Sequence, residues 1–266
     1  MVMSRVLWHT RVSELFTSDL GDNLRVRFYP SSLSAALWIS RDARNDDVDF
    51  LRLVLRPGDT YVDCGANIGH LAIVARAIVG AGGKVTAFEA NPRIYRYCVG
   101  NLALNGFSDV TTANVALGET RGSITISDRR SDDQNRVGEG DAVVPMHPLD
   151  ELVPAGHVTL LKIDVEGFEL FVLRGGKQLL ARTDVVYCEL SAGNSARFGY
   201  HPTDAEAVLR DAGFVFARQL DERWVLAPEG VFSTLSARDM PGTGYNLVAI
   251  RREALAMLEA RGIHLG

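Results

Sequence analysis

The sequence predicts an α/β fold, a mostly parallel sheet covered by helices on both faces. Three observations predict it. Short runs rich in Val, Ile and Leu alternate with stretches of helical spacing, as strands joined by crossover helices do. Glycine and proline punctuate the changes of period. Residues 157–163 form a nearly continuous apolar run, as expected of a strand buried on both faces. The chain has 266 residues, 47% of them hydrophobic, which suits one large domain, or one with a small appendage, around a sizeable core.

Residues 24–29 alternate like a half-buried strand, and 47–55 have helical spacing. Pro57-Gly58-Asp59 is a breaker. A short strand, residues 60–64, then runs straight into the loop Gly65-Ala66-Asn67-Ile68-Gly69, and residues 70–79 read as a helix ended by Gly80, Gly82 and Gly83. Residues 84–88 are the next strand, with Glu89 at its end. Pro92 suits the first turn of a helix that runs to about Leu104 and closes at Asn105-Gly106. Residues 110–113 give a third strand. Over 122–144 the rhythm breaks: 124–126 has strand character, whereas 127–141 is polar and reads as a long mobile surface loop. The strand at 157–163 restores the pattern, followed by a helix over 168–180 and a strand over 184–188. Thr203 as N-cap with Glu206 three residues on predicts a capping box for a helix ending at Gly213. Residues 214–216, 223–226 and 245–250 are late strands, and a terminal helix starts at Arg251. The expected organisation is an N-terminal strand/helix extension over 1–56 packed on a core domain over 57–266.

Two motifs carry chemistry. In Asp63-Cys64-Gly65-Ala66-Asn67-Ile68-Gly69, between strand and helix, Gly65 offers backbone freedom and room for a ligand on the main chain, and Gly69 allows close packing. In doubly wound sheets the crevice beyond the strand ends takes the ligand. A dinucleotide site carries G-x-G-x-x-G with pyrophosphate on the helix N-terminus. Here an acidic residue precedes the first glycine, which repels pyrophosphate and suits a ligand with a cationic amino group. Glu89, ending the next strand, can accept both hydroxyls of a ribose, with Ala90, Asn91 and Pro92 shaping the turn beside it. Together they specify an adenosine-type ligand without phosphates, a description that S-adenosylmethionine meets.

The chain resembles the FkbM family of methyltransferases. The matching segments are Tyr61-Val62-Asp63-Cys64-Gly65-Ala66-Asn67-Ile68-Gly69, Phe88-Glu89-Ala90-Asn91-Pro92, Asn114-Val115-Ala116-Leu117-Gly118, Leu149-Asp150-Glu151-Leu152 and Lys162-Ile163-Asp164-Val165-Glu166-Gly167-Phe168-Glu169. The resemblance spans roughly residues 57–190 and implies a Rossmann-like class I methyltransferase fold, with a seven-stranded, mostly parallel sheet whose last strand is antiparallel. It implies S-adenosylmethionine as donor, S-adenosylhomocysteine as product, and commonly a hydroxyl acceptor on a saccharide or polyketide. Asp63 and Gly65, within the loop that includes Ala66, Asn67 and Gly69, would cradle the methionine part. Glu89, flanked by Ala90 and Asn91, would hold the ribose, and Asn114, Val115 and Ala116 would lie against the adenine.

An alcohol is a poor nucleophile until its proton has somewhere to go, and a desolvated carboxylate near the acceptor supplies that base. Strand alternation places Asp164 and Glu166 on one side if the strand runs that far. Asp164 is the first choice of base, Glu166 the second and Glu189, ending the following strand, the third. Each has another use: Asp164 can hold the donor's amino group, and Glu166 can bond the amides of the following helix. Three carboxylates can also hold a divalent cation, but no Asn or His in the motifs completes a metal site, so none is expected. His147 and His201 fall in loops and read mainly as surface residues. Residues 127–141 and 192–202, with Phe198 and Tyr200, are expected on the acceptor side.

The formal net charge of −5 leans against a nucleic-acid or membrane-surface partner; only Arg129-Arg130 makes a local basic spot. Cys64, Cys98 and Cys188 show no metal or disulfide spacing and read as small hydrophobes in a reducing compartment. Arg5, His9 and Arg11 interrupt any signal-peptide pattern, and no run reaches the roughly twenty apolar residues of a membrane span. A cytoplasmic location is expected, and a homo-oligomer stays open. Among rival functions, a nicotinamide dehydrogenase lacks its glycine turn here. A base methyltransferase lacks the Asn/Asp-Pro-Pro-aromatic segment after the fourth strand. An amine or carboxylate acceptor, or nucleoside binding without catalysis, are the remaining alternatives.

Overall fold

The computed structural model describes residues 12–40, 43–128, 138, 140, 142–220, 223–226 and 244–263. The chain opens with a hairpin, β1 (Thr17–Gly21) and β2 (Leu24–Arg27), whose connecting Asp22 and Asn23 have φ of 53° and 63°. Both lie in the left-handed region that the tightest hairpin turns demand. Two helices follow, α1 (Ser32–Ile39), capped by the Ser31 hydroxyl, and α2 (Asn45–Val54). Then come β3 (Thr60–Cys64), α3 (His70–Val79), β4 (Lys84–Phe88), α4 (Pro92–Leu104) and β5 (Thr111–Ala113). A small side sheet is made by β6 (Ala116–Leu117), β7 (Gly122–Ile126) and β8 (Ala142–His147), in the order β6-β8-β7. The core resumes with α5 (Leu149–Leu152), β9 (Val158–Ile163), α6 (Glu169–Arg174), α7 (Lys177–Leu180) and β10 (Thr183–Leu190). It closes with α8 (Ala192–Ala196), α9 (Pro202–Asp211), β11 (Phe214–Leu220), β12 (Arg223–Leu226), β13 (Tyr245–Arg251) and α10 (Leu255–Ala260).

The main sheet runs β12-β11-β13-β10-β9-β3-β4-β5. From β5 to β10 every pairing is parallel, and β13 lies antiparallel between β10 and β11. This is the Rossmann-like class I methyltransferase architecture. An eighth strand, β12, adds to the expected seven by folding back antiparallel on β11. Strand order reverses beside β3, where the chain first builds outward through β4 and then returns to place β9 on the other side. A crevice opens at such a switch point.

Alternate strand residues feed two cores. Tyr61, Leu160 and Val185 pack under α2, α3 and α4, whereas Val62, Leu161 and Val186 pack under α6, α7 and α9. Leu24, Val26 and Leu37 share the first of these clusters, so the elements before Pro57 bury their apolar face against α3 and α4.

Four expectations need correction. The helix over 168–180 is two short helices, because Gly175 and Gly176 separate α6 from α7. A Cβ on Gly175 would overlap the carbonyl oxygen of Gly118, so the segment has been thinned to pass the end of β6. The capping box on α9 is His201 with Asp204, not Thr203 with Glu206. Pro202 takes the first helical position, where its missing N–H costs nothing, and this moves the cap two residues back. Glu206 is buried instead and accepts from the Tyr245 hydroxyl at 2.8 Å. The terminal helix starts late, at Leu255, since β13 runs on to Arg251. Residues 142–147 form β8, so the break in rhythm is a side sheet as well as a loop. Most of the loop over 127–141, with Arg129-Arg130, and residues 1–11 lie outside the described residues. Among those described, no helix is long and apolar enough to cross a membrane.

The Gly175 contact sets a test. Gly175→Val should destabilise the chain by about 1–3 kcal/mol, as overpacking does, and lower the urea midpoint; an unchanged midpoint would show that the β6 end gives way freely.

Candidate active site

The crevice is built by three chain crossings at the ends of β3, β4 and β9. The amides of Gly65 and Ala66 both donate to the Phe88 carbonyl at 2.9 Å, and the Asp164 amide donates to the Cys64 carbonyl at 2.9 Å. Gly65 has φ of +84°, and a Cβ there would overlap the Asp164 carbonyl. The glycine is therefore needed for the close approach of β9 as well as for the turn. Gly69 starts α3 with φ of +83°, and a Cβ would lie 2.7 Å from Cys98 Sγ on α4. Its role is helix packing, as its position in the motif suggests.

Glu89 is held by the loop it faces. Its Oε2 accepts from the Asn67 amide at 2.9 Å and its Oε1 from the Asn91 amide at 2.8 Å. Asn91 caps α4, accepting from the amides of Arg93 and Ile94, and Asn114 Nδ2 donates to the carbonyls of both Glu89 and Ala90 at 2.8 Å. Asn114 thus braces the turn, whereas Val115, Ala116, Leu117 and Ile126 form an apolar wall. The cleft between that wall and the strand ends has a volume of about 260 Å³ and is also lined by Glu89, Ala90, Asn91, Asn67 and Gly65. Ser32, Leu33 and Ala36 of α1 and the side chain of Arg44 close its other side.

Beneath the cleft lies a row of polar groups. The register sets Asp63 of β3 beside Lys162 of β9, and Lys162 beside Tyr187 of β10. The buried Lys162 ammonium donates to Asp164 Oδ2 at 3.1 Å and sits 3.8 Å from Asp63 Oδ1. Burial alone would lower its pKa; Asp164 and then Asp63 reverse that and hold it above the usual lysine range. Burial raises Asp63 to about 6, against the opposing pull of Lys162. Neither Asp63 oxygen has a hydrogen-bond partner among the described residues. Tyr187 donates to Asp47 Oδ1 at 2.7 Å, and Asp47 in turn faces Arg44 at 3.3 Å. His70 borders the same recess; burial, then Arg44 and Lys162, push it down to about 3, so the imidazole is neutral.

The three carboxylates singled out as bases come together at the mouth, by a different route from the expected one. β9 stops at Ile163, so alternation does not carry Asp164 and Glu166 to one side. Glu166 reaches the cleft through a left-handed backbone, φ +57°, which is uncommon for a residue with a side chain. Its Oε2 accepts from Asn194 Nδ2 at 3.1 Å. Burial, with repulsion from Asp164, Glu189 and Glu169, raises it to about 8. The amides that follow β9 are satisfied by Glu169: its Oε1 accepts from Val165 at 3.2 Å and Gly167 at 2.9 Å, and its Oε2 from the Tyr200 hydroxyl at 3.0 Å. That structural use, expected of Glu166, belongs to Glu169. Glu189 lies 3.8 Å from Arg44 and is raised to about 7, chiefly by repulsion from Asp164.

His147 and His201 stay apart from the crevice, His147 near Glu151 at 3.4 Å and His201 capping α9. The three cysteines are buried free thiols. Among the described residues no group of three or more His, Cys, Asp or Glu is placed to hold a metal ion. Four residues of the site were not singled out from the sequence: Arg44, Asp47, His70 and Lys162. Lys162 left a readable signal, a single charge inside an apolar strand. Arg44 and Asp47 left none, because they reach the site from the far side of the fold.

The model of the methyltransferase FkbM domain matches residues 63–216. Over 185 residues the chain is 30% identical to the hexuronic acid methyltransferase AglP of Haloferax volcanii, covering 66% of this chain and 72% of that protein. Among solved structures, methyltransferase FkbM of Methylobacillus flagellatus aligns with 16% identity and a TM-score of 0.47, over 82% of this chain and 53% of the other. An S-adenosylmethionine-dependent O-methyltransferase of Thermotoga maritima aligns with 16% identity and a TM-score of 0.44, over 77% and 64%.

Two outcomes are expected from the charges. Lys162→Met leaves Asp63 and Asp164 buried without their cation and should destabilise the fold by about 3–5 kcal/mol, read by urea unfolding at neutral pH; a change within the error of the measurement would mean that Lys162 holds nothing together. Glu166 keeps its proton in the folded chain up to about 8 and loses it near 4.5 when unfolded. Its contribution to stability is therefore full below about 4.5 and is lost as pH rises to about 8. Glu166→Gln should flatten that part of the stability profile, and parallel profiles for the two proteins would refute the assignment.

Proposed function

The chain belongs to the FkbM methyltransferase family, and from that membership we propose that it carries the methyl group of S-adenosylmethionine to a hydroxyl of a saccharide or polyketide-type natural product. The observation that carries the hydroxyl reading is Glu166, a carboxyl raised to about 8 at the lip of the cleft. An alcohol oxygen attacks only as its proton leaves, and a base of that strength is matched to the task near neutral pH. The saccharide reading draws support from AglP, whose name describes a methyltransferase of hexuronic acid.

The residues present fit the donor. Asp63 offers two buried oxygens that accept no hydrogen bond among the described residues, one of them 3.8 Å from the Lys162 ammonium, and a cationic amino group can bond to them. Glu89, held by the amides of Asn67 and Asn91, presents to the cleft a carboxylate, the kind of group that accepts ribose hydroxyls. Val115, Ala116 and Ile126 give a flat ring an apolar wall, and Asn114 acts by bracing Glu89 and Ala90. The donor, when bound, supplies a methyl already activated by sulfonium, with the C–S electron pair passing to sulfur and S-adenosylhomocysteine left as product.

The chain's own part is positional and basic. Gly65, Ala66, Asn67 and Asp164 shape the donor's seat. We place the base at Glu166 and give Asp164 the binding role, because Asp164 already accepts from the buried Lys162 ammonium at 3.1 Å. Glu166 takes the acceptor proton as the new O–C bond forms. Glu189, beside Arg44, stands in the same field as a second carboxyl close to neutrality.

Paired variants test this. Glu166→Gln should lower kcat by roughly a hundredfold or more and remove a rise with pH, midpoint near 8, in kcat/KM for the donor, which reports the donor-free chain, while S-adenosylhomocysteine affinity stays within about twofold by calorimetry. Asp164→Asn should lose donor affinity as well. If Asp164→Asn instead costs turnover alone and Glu166→Gln costs neither, the base is Asp164.

A further inference from the structure

We propose that Phe168, Phe171 and Phe198 form the acceptor subsite of this enzyme, an aromatic platform for the C–H face of a pyranose ring. The proposal rests on the saccharide reading above.

The three rings are joined through Phe168. Phe168 stacks on Phe171 with centroids 4.4 Å apart and 29° between planes, and Phe198 meets Phe168 edge-on at 5.2 Å. Tyr200 anchors the far end, edge-on to Phe171 at 5.9 Å, with its hydroxyl donating to Glu169. Large aromatics at this position would ordinarily be drawn into the core. The core on this face is made by Leu170, Leu173 and Leu209 instead, and Phe168, Phe171 and Phe198 stay half-buried. Three partly exposed phenylalanines in contact with one another leave an apolar surface open to a ligand.

Position says what covers them. Phe168 lines the donor cleft two residues after Glu166, so the platform begins at the reacting end and leads away from it. Its rim is polar. Asn194 holds Glu166 at 3.1 Å, and the Arg197 guanidinium lies 5.4 Å from the Phe198 centroid. Fixing the platform, Gly167 (φ +104°) passes the Asn194 backbone so closely that a Cβ would come within 2.8 Å of its carbonyl oxygen. Apolar rings bordered by amide, guanidinium and carboxyl groups match a pyranose, which presents axial C–H bonds on one face and hydroxyls around its edge. A flat aromatic aglycone would want the rings without the polar rim. A charged peptide would want the reverse.

The experiment uses the full chain loaded with S-adenosylhomocysteine and three uncharged probes, the methyl glycosides of glucose, galactose and mannose. Saturation-transfer NMR should mark the ring C–H protons of one face in at least one probe. Phe198→Ala should weaken that binding tenfold or more, Phe198→Trp should restore it, and S-adenosylhomocysteine affinity should stay within about twofold in both. Binding unchanged in Phe198→Ala and Phe171→Ala, or lost in step with cofactor affinity, would overturn the platform. A labelled-methyl assay on the same probes separates the two readings. Face-specific binding without label would remove the saccharide hydroxyl as acceptor and leave the platform standing. Label in the sugar with the alanine variants unaffected would do the opposite, and neither binding nor label would remove both.

Discussion

The buried ammonium of Lys162, set between Asp63 on the neighbouring strand and Asp164 at its own strand's end, is the constraint from which the site is built. Lys162 and Asp63 are closed to water while Asp164 lines the cleft, and the two buried charges are tolerable only together, since each alone would carry a desolvation cost of several kcal/mol. Their grouping is a consequence of register: Asp63 and Lys162 are direct partners across β3 and β9, and a slip of one residue would turn Lys162 to the opposite core. Charge balance therefore fixes the alignment of the two strands whose ends form the crevice. The Asp164 amide, bonded to the Cys64 carbonyl, then locks the chain crossing above them, and only glycine at position 65 leaves room for it.

A second tier of charge comes from outside the sheet. Asp47 on α2 accepts from Tyr187 across the core, and Arg44, just before that helix, spans Asp47 and Glu189. The N-terminal elements thus do more than cover α3 and α4, because they bring to the cleft its one lining cation among the described residues. Arg44 itself sits at φ 69°, a strained setting that helix packing behind it and ion pairing in front of it maintain together.

How much of this was legible follows from range. Sequence-local features read well: the strand-to-helix turn at Gly65, the acidic strand end at Glu89 and the proline-started helix at Pro92 each act within a few residues of where they are written. Features set by contact between distant segments did not. Gly175 looked like helix interior until the passage of Gly118 explained it. Glu169 took the amides that were an alternative use for Glu166, because a left-handed residue, invisible in a pattern of alternation, redirects the chain there. Arg44 enters the site through tertiary approach alone, whereas His70 follows directly on the motif loop. Lys162 stood between these cases, its anomaly visible and its partners hidden.

The charge arrangement also couples the two halves of the proposed reaction. Glu166 and Glu189 are pushed up to about 8 and about 7, Glu166 first by burial and Glu189 first by Asp164, with Arg44 opposing the rise at Glu189. An opposite charge within a few ångströms favours the ionised form of a carboxyl. In the proposed reaction a sulfonium donor seated against Asp164 would bring such a charge and draw both carboxyls toward the anion. By reciprocity, the carboxylates hold the charged donor more firmly than the neutral thioether product. One field thereby prepares the base when the donor is present and loosens the product once the methyl, and with it the positive charge, has gone.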